Sequence, residues 1–246
     1  NLATWVGAPV STTHAIVGGV MGSGIAAAGF ATVNWPVMGA IAASWVISPL
    51  AGAGIAALFL AFINSRIIYR PDKIAAARTW VPVLIGVMGG VFVTYMALKG
   101  VSRIVSFTLG QSVLMGLVVG LPLTLIMRPV IRHQARGLEN RNKSLKTLFA
   151  IPLVFSAALL SFAHGANDVA NAVGPLAAIV HAVQGGGAAD SVVVPLWVMV
   201  IGALGLSFGL VLFGPKLINI VGSEITRLNA MRAYCVALSA AVVVII

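Results

Sequence analysis

Apolar runs long enough to cross a lipid bilayer recur along the whole chain, separated by short loops that carry Arg and Lys. A span needs on the order of 20 apolar residues, because a helix rises about 1.5 Å per residue through a hydrocarbon layer about 30 Å thick. Charged residues make up 8% of the 246 residues, against about 25% in a soluble domain. That leaves too little polar surface to cover a core of this size. The expected fold is an all-α polytopic membrane protein.

The net charge of +10 invites a nucleic-acid reading, but its distribution argues against one. Most basic residues sit in loops between spans, where membrane topology accounts for them. Spans are expected at about Ser11–Phe30, Val37–Ile63 (broken or kinked at Ser48-Pro49), Trp80–Leu98, Ile104–Met127, Thr147–Val183, Val194–Phe213 and Ala233–Ile246. Arg66, Arg70, Lys73 and Arg78 lie in one loop, and Arg128 to Lys146 in another. Two spans separate these loops, so they share a side, and their excess charge makes 66–78 and 128–146 cytoplasmic. The opposite side carries only Lys99 and Arg103 between them. The segment with Lys216, Arg227 and Arg232 also falls inside if Thr147–Val183 makes one net crossing, and the connection at 184–191, without Lys or Arg, is consistent with the outside. Cys235 stands alone, which leaves no disulfide or Cys-based metal site.

Gly18, Gly22 and Ala26 repeat every four residues, as do Gly86 and Gly90, and Gly116 and Gly120. Small residues at this spacing let membrane helices approach closely.

Two polar stretches stand out. "HGANDVAN", His164–Asn171, falls in the middle of a 37-residue apolar stretch, too long for one straight span and short for two. Gly165 and Gly174-Pro175 can interrupt a helix, so a discontinuous helix is expected there. Interrupted backbone at membrane depth survives only against protein or a cavity. On a wheel of about 100° per residue, His164, Asn167, Asp168 and Asn171 fall within an arc of about 100°. An ionised Asp at mid-membrane costs at least about 2.5 kcal/mol; a bound cation offsets that and protonation removes it. The plain alternative is Asp and Asn joining helices through hydrogen bonds.

The second stretch is "GAPVSTTHAIVGG" at 7–19. Ser11, Thr12 and Thr13 are all suited to cap a helix, and His14, Ala15 and Ile16 stand where a capping box would place Glu or Gln. No acidic side chain competes for the first-turn N–H groups, which makes this helix start a candidate anion site. Ordinary capping is the alternative. His14 is either a donor to the anion or a packed interface residue. A hydroxyl-rich helix start together with an acid–amide face suggests cation-coupled anion transport.

These stretches resemble the inorganic phosphate transporter (PiT) family, through "GANDVANAVGP" at 165–175 and "GAPVSTTHAIVG" at 7–18. "VNWPVMGAIAASWVISPL" at 33–50 and "VGSEITRLNAMRA" at 221–233 support the match, which covers nearly the whole chain. The resemblance implies two inverted repeats with discontinuous helices, each contributing one GANDVAN-type and one PVSTTH-type segment to a central phosphate site. One copy of each is present. By family order the first GANDVAN segment precedes Asn1 and the second PVSTTH segment follows Ile246. Residues 1–127 then resemble the C-terminal part of the first repeat, 128–147 the loop between repeats, and 148–246 the N-terminal part of the second. A piece of a longer polypeptide is expected.

By the same resemblance, Ser11, Thr12, Thr13 and Asn167 are the expected phosphate ligands, and Asp168 with Asn171 the expected cation-coupling or proton-titrating group. Sodium and protons both remain open as the coupling ion. No cofactor is implied; phosphate alone or as a neutral metal complex is the substrate, and a cell membrane is the setting. Family members resemble dimers, so a homodimer is admitted. Sulfate satisfies the same donors and is the alternative anion, and a non-transporting scaffold is the alternative role. No phosphate-binding G-x-x-x-x-G-K-[ST] sequence is present for an ATP-driven pump. His164 and Asp168, four apart on a helix, could form an acid–base pair for hydrolysis, but no nucleophile or third ligand stands at a telling spacing.

Overall fold

A computed structural model describes residues 6, 10–100, 105–185, 192–219 and 229–245. Arg103, the 186–191 connection, Pro9 and the 221–228 part of the fourth matching stretch therefore lie outside the described residues. Within them the chain is all-helical. The α-helices are α1 (Thr12–Ala28), α2 (Trp35–Ile63), α3 (Lys73–Tyr95), α4 (Leu109–Gln134), α5 (Asn142–Leu148), α6 (Ala150–Val183), α7 (Leu196–Asn219) and α8 (Ala230–Ile245). Wider turns extend α2 through Asn64–Ile68 and α3 through Met96–Gly100. Among the described residues five helical stretches are long and apolar enough to cross a membrane, Trp35–Ile68, Lys73–Gly100, Leu109–Gln134, Ala150–Val183 and Leu196–Lys216; the spans expected at Ser11–Phe30 and Ala233–Ile246 correspond to the shorter α1 and α8 and are not among them.

The chain divides into two compact units, neither contiguous in sequence. One comprises the described residues of Asn1–Ala42 and His164–Arg227, the other those of Ala43–Ala163 and Leu228–Ile246.

In the second unit α3 and α4 run antiparallel in a register set by small residues. A Cβ on Gly86 would stand 2.6 Å from the Gly120 carbonyl oxygen, and one on Gly90 would stand 2.9 Å from that of Gly116. Neither position admits a side chain, so the two backbones touch. One rung further, Thr94 Oγ1 donates to the Gly90 and Ser112 carbonyls at 2.9 and 3.2 Å. The expected close packing of these two stripes is realised. A capping box starts α4: Thr108 Oγ1 accepts from the Gln111 N–H, and Gln111 Oε1 accepts from the Thr108 N–H. Asp72 caps α3 by accepting from the Ala75 N–H at 2.9 Å.

The two basic loops meet, as a shared side requires. Asn140 accepts from the Lys73 N–H at 2.9 Å and donates to the Pro71 carbonyl at 2.7 Å. The Arg78 guanidinium donates to the Ala135 carbonyl at 3.1 Å. Beneath this junction Ile63, Ile67, Val81, Ile131, Leu148 and Phe149 form a fully buried core. Tyr234 enters it from α8, donating its hydroxyl to the Leu84 carbonyl at 2.7 Å.

Four expectations need correction. The 128–146 segment is not all loop. α4 continues to Gln134, because Ile131 and Ala135 bury on its inner side, and the turn that follows uses Gly137 at φ +73°. α2 passes through Pro49 unbroken, which overturns the break but not the kink expected there; a membrane helix tolerates a proline when neighbouring groups re-satisfy the freed backbone. α6 is likewise unbroken from Ala150 to Val183. Gly165 and Gly174 do not adopt the left-handed backbone that ends a helix; among the described residues only Gly29, Gly137 and Gly185 do. The predicted interruption corresponds instead to a change of compact unit, since Ala163 belongs to one and His164 to the other. Lastly, the stripe Gly18, Gly22 is open among the described residues: a Cβ at either would meet none of them within 4 Å.

Candidate functional site

Ser11 precedes α1 in extended conformation, and its Oγ accepts from the His14 N–H at 3.3 Å. Ordinary capping is therefore realised at this residue. The cap occupies one first-turn N–H and leaves the Ser11 O–H to donate elsewhere. The N–H groups of Thr12 and Thr13 lie at the first two helical positions, where no intrahelical acceptor exists. They carry the positive end of the helix dipole, and no acidic side chain occupies that turn. Ser11, Thr12 and His14 are exposed and Thr13 is half-buried.

The acid–amide face comes from α6 in the same compact unit. Because the helix is continuous, His164, Asn167, Asp168 and Asn171 occupy one side of it as the wheel requires. Asp168 and Asn171 are half-buried and His164 is exposed. The side chain of Asn167 lies outside the described residues, so only its place on the helix is established.

The two motifs touch. Asn171 Nδ2 donates to Thr13 Oγ1 at 2.9 Å, joining residues 158 apart in sequence, and lies 3.5 Å from Asp168 Oδ1. The orientation of this amide sorts the remaining valences. With its NH₂ spent on Thr13 and Asp168, the Asn171 Oδ1 is left as an acceptor, as is the carboxylate. Thr13, having accepted from Asn171, keeps its own hydroxyl proton to donate. One side of the link thus offers donors, the Thr13 hydroxyl and the α1 N–H groups. The other offers oxygen acceptors, as hard cations require.

A further acceptor escapes a motif-by-motif reading. Pro175 has no N–H, so the backbone carbonyl of Asn171, four residues earlier, lacks its intrahelical donor. The signal is present in the sequence as the Asn171–Pro175 spacing. Among the described residues no three His, Cys, Asp or Glu side chains gather as a metal site.

Helices long and apolar enough to cross a membrane, with polar residues converging from a helix start and a helix face in one compact unit, describe a multi-pass helical membrane protein. The model of the phosphate transporter family matches residues 1–246, and the chain belongs to that family. It is 48% identical over 251 residues to a Helicobacter pylori protein provisionally named a phosphate permease, covering all of this chain and 47% of that protein. It is 34% identical to the Arabidopsis thaliana chloroplastic inorganic phosphate transporter 2-1, covering all of this chain and 46% of the relative. The solved structure of a sodium-dependent phosphate transporter superimposes with a TM-score of 0.87 at 30% identity, over 99% of this chain and 60% of that one. The chain thus spans about half the length of these curated relatives.

Proposed function

We propose that the full-length protein is a secondary transporter that moves inorganic phosphate across the membrane with sodium as the coupling ion. The observation that carries this reading is the Asn171–Thr13 hydrogen bond, because it makes the donor side and the acceptor side neighbours. Phosphate is held by the hydroxyls of Ser11, Thr12 and Thr13, the α1 N–H groups and the Asn167 amide. Sodium is held by the Asp168 carboxylate with Asn171 Oδ1 assisting. Neither motif contains Arg or Lys, so the anion's charge is balanced by a co-bound cation rather than by a fixed one. That makes anion binding depend on the cation, which is what coupling requires. It also leaves nothing permanently cationic to retain phosphate after sodium departs. Sodium is preferred over protons because the structural relative is named as sodium-dependent.

In this reading, residues 1–127 and 148–246 are the adjoining parts of two inverted repeats, with 128–147 the segment connecting them. The basic segments 66–78 and 128–146 face the cytoplasm, where an excess of Lys and Arg belongs. Labelled phosphate uptake into proteoliposomes of the full-length protein tests the reading. An imposed inward sodium gradient without ATP should drive accumulation. Accumulation driven equally by a proton gradient in sodium-free buffer would contradict sodium coupling, and abolition by excess sulfate would move the substrate to sulfate.

A further inference from the structure

We propose that the groove along the α3–α4 seam is a binding site for an anionic phospholipid, with one acyl chain lying over the glycines and the headgroup phosphate on Arg128. The groove encloses about 590 Å³ and runs along the seam where Gly86, Gly90, Gly116 and Gly120 bring the two backbones into contact. Val87, Leu117 and Leu121 are among the apolar residues that wall it, and Arg128 is its one charged lining residue. The hydroxyls inside are already used by their own helices, Thr94 on the Gly90 carbonyl and Thr124 on that of Gly120. A guest therefore meets hydrocarbon along the seam and a cation at one end. From Val113 to Arg128 the lining spans about 22 Å at 1.5 Å per residue, longer than the roughly 15 Å of one leaflet's hydrocarbon.

Arg128 is placed where a headgroup would be. The antiparallel register, Gly86 opposite Gly120, sets Arg128 level with Arg78 and Trp80 slightly deeper. Trp80 carries Arg66 over its ring at 5.5 Å, and tryptophan is enriched at the membrane–water boundary. Arg128 is exposed and makes no hydrogen bond or ion pair among the described residues; Arg132, one turn on, is exposed as well.

Charge complementarity selects lipid over a second copy of the chain. The chain has five acidic residues. Among the described ones, Asp72 caps α3, Glu139 pairs with Arg141 at 2.9 Å, and Asp168 belongs to the transport motif. None of these three is spare to meet Arg128 across a dimer, Asp190 and Glu224 lying outside the described residues, whereas an anionic leaflet supplies phosphates at that depth.

Native mass spectrometry of the purified full-length protein, titrated with phosphatidylglycerol or phosphatidylcholine of matched chains, tests this. The expected result is a retained phosphatidylglycerol adduct at least about fivefold more abundant than the phosphatidylcholine one, a preference of roughly 1 kcal/mol. Arg128→Gln should abolish that preference and Arg128→Lys should keep it. Equal retention of both lipids, an unchanged preference in Arg128→Gln, or displacement of the adduct by millimolar inorganic phosphate would overturn the proposal. So would a dimer whose subunits cross-link through cysteines placed at Leu117 and Leu121.

Discussion

Two glycine stripes with the same four-residue spacing have opposite surroundings. Gly86 and Gly90 press backbone to backbone against Gly116 and Gly120, whereas a Cβ on Gly18 or Gly22 would meet none of the described residues. The first stripe builds a locked helix pair. The second lies on a helix that buries none of its residues and is tied to α6 by the polar contact between Thr13 and Asn171. Spacing alone reports that close approach is permitted; a matching stripe on a partner decides whether it occurs. The contrast separates a closely packed helix pair from a helix held by a polar contact.

The contrast can be broken at either end. Gly120→Leu forces a side chain into the Gly86 carbonyl, and overpacking of this kind should lower stability by about 3 kcal/mol, read as a large drop in the thermal unfolding temperature of detergent-purified protein. Wild-type stability in that variant would show that the seam is not locked. Asp168→Asn should reduce sodium-driven phosphate uptake on the order of 100-fold, about 2.7 kcal/mol, with unfolding temperature unchanged. A variant that lost stability instead would make Asp168 a structural hydrogen-bonding group. Tyr234→Phe removes a buried hydrogen bond to the Leu84 carbonyl and should cost about 1 kcal/mol, measured by the same unfolding assay, with uptake retained. Gly22→Leu should be the mildest, within about 0.5 kcal/mol. A penalty matching that of Gly120→Leu would reveal a close partner for α1 in the full-length protein.

Much of the fold could be read from the sequence because the bilayer imposes a length and a composition on each span. The run at Trp80–Leu98 lies within α3 and the wider turns that extend it, and the run at Val194–Phe213 overlaps α7 from Leu196 on. The shared side of the two basic loops followed from counting spans, and Asn140 joins them physically. Helix continuity was harder to read. Gly165, Gly174-Pro175 and Pro49 weaken a helix locally, but whether the chain breaks depends on what surrounds it, and the sequence does not contain that. The end of α4 was missed for the converse reason: Arg128 and Arg132 look like loop, while Ile131 between them buries fully. At the site, the residue types and the helical face of Asp168 and Asn171 were visible. The partnership of Asn171 with Thr13 was not, since nothing local to either residue encodes a contact across 158 positions.

The central claim is that Thr13 and Asn171 act as one unit at the junction of anion and cation. A double-mutant cycle with Thr13→Val, Asn171→Ala and the pair, read as sodium-driven phosphate uptake by the full-length protein, tests it most directly. The account predicts a coupling energy of about 1 kcal/mol or more, the double variant losing clearly less than the two single losses combined. Additive losses would contradict it.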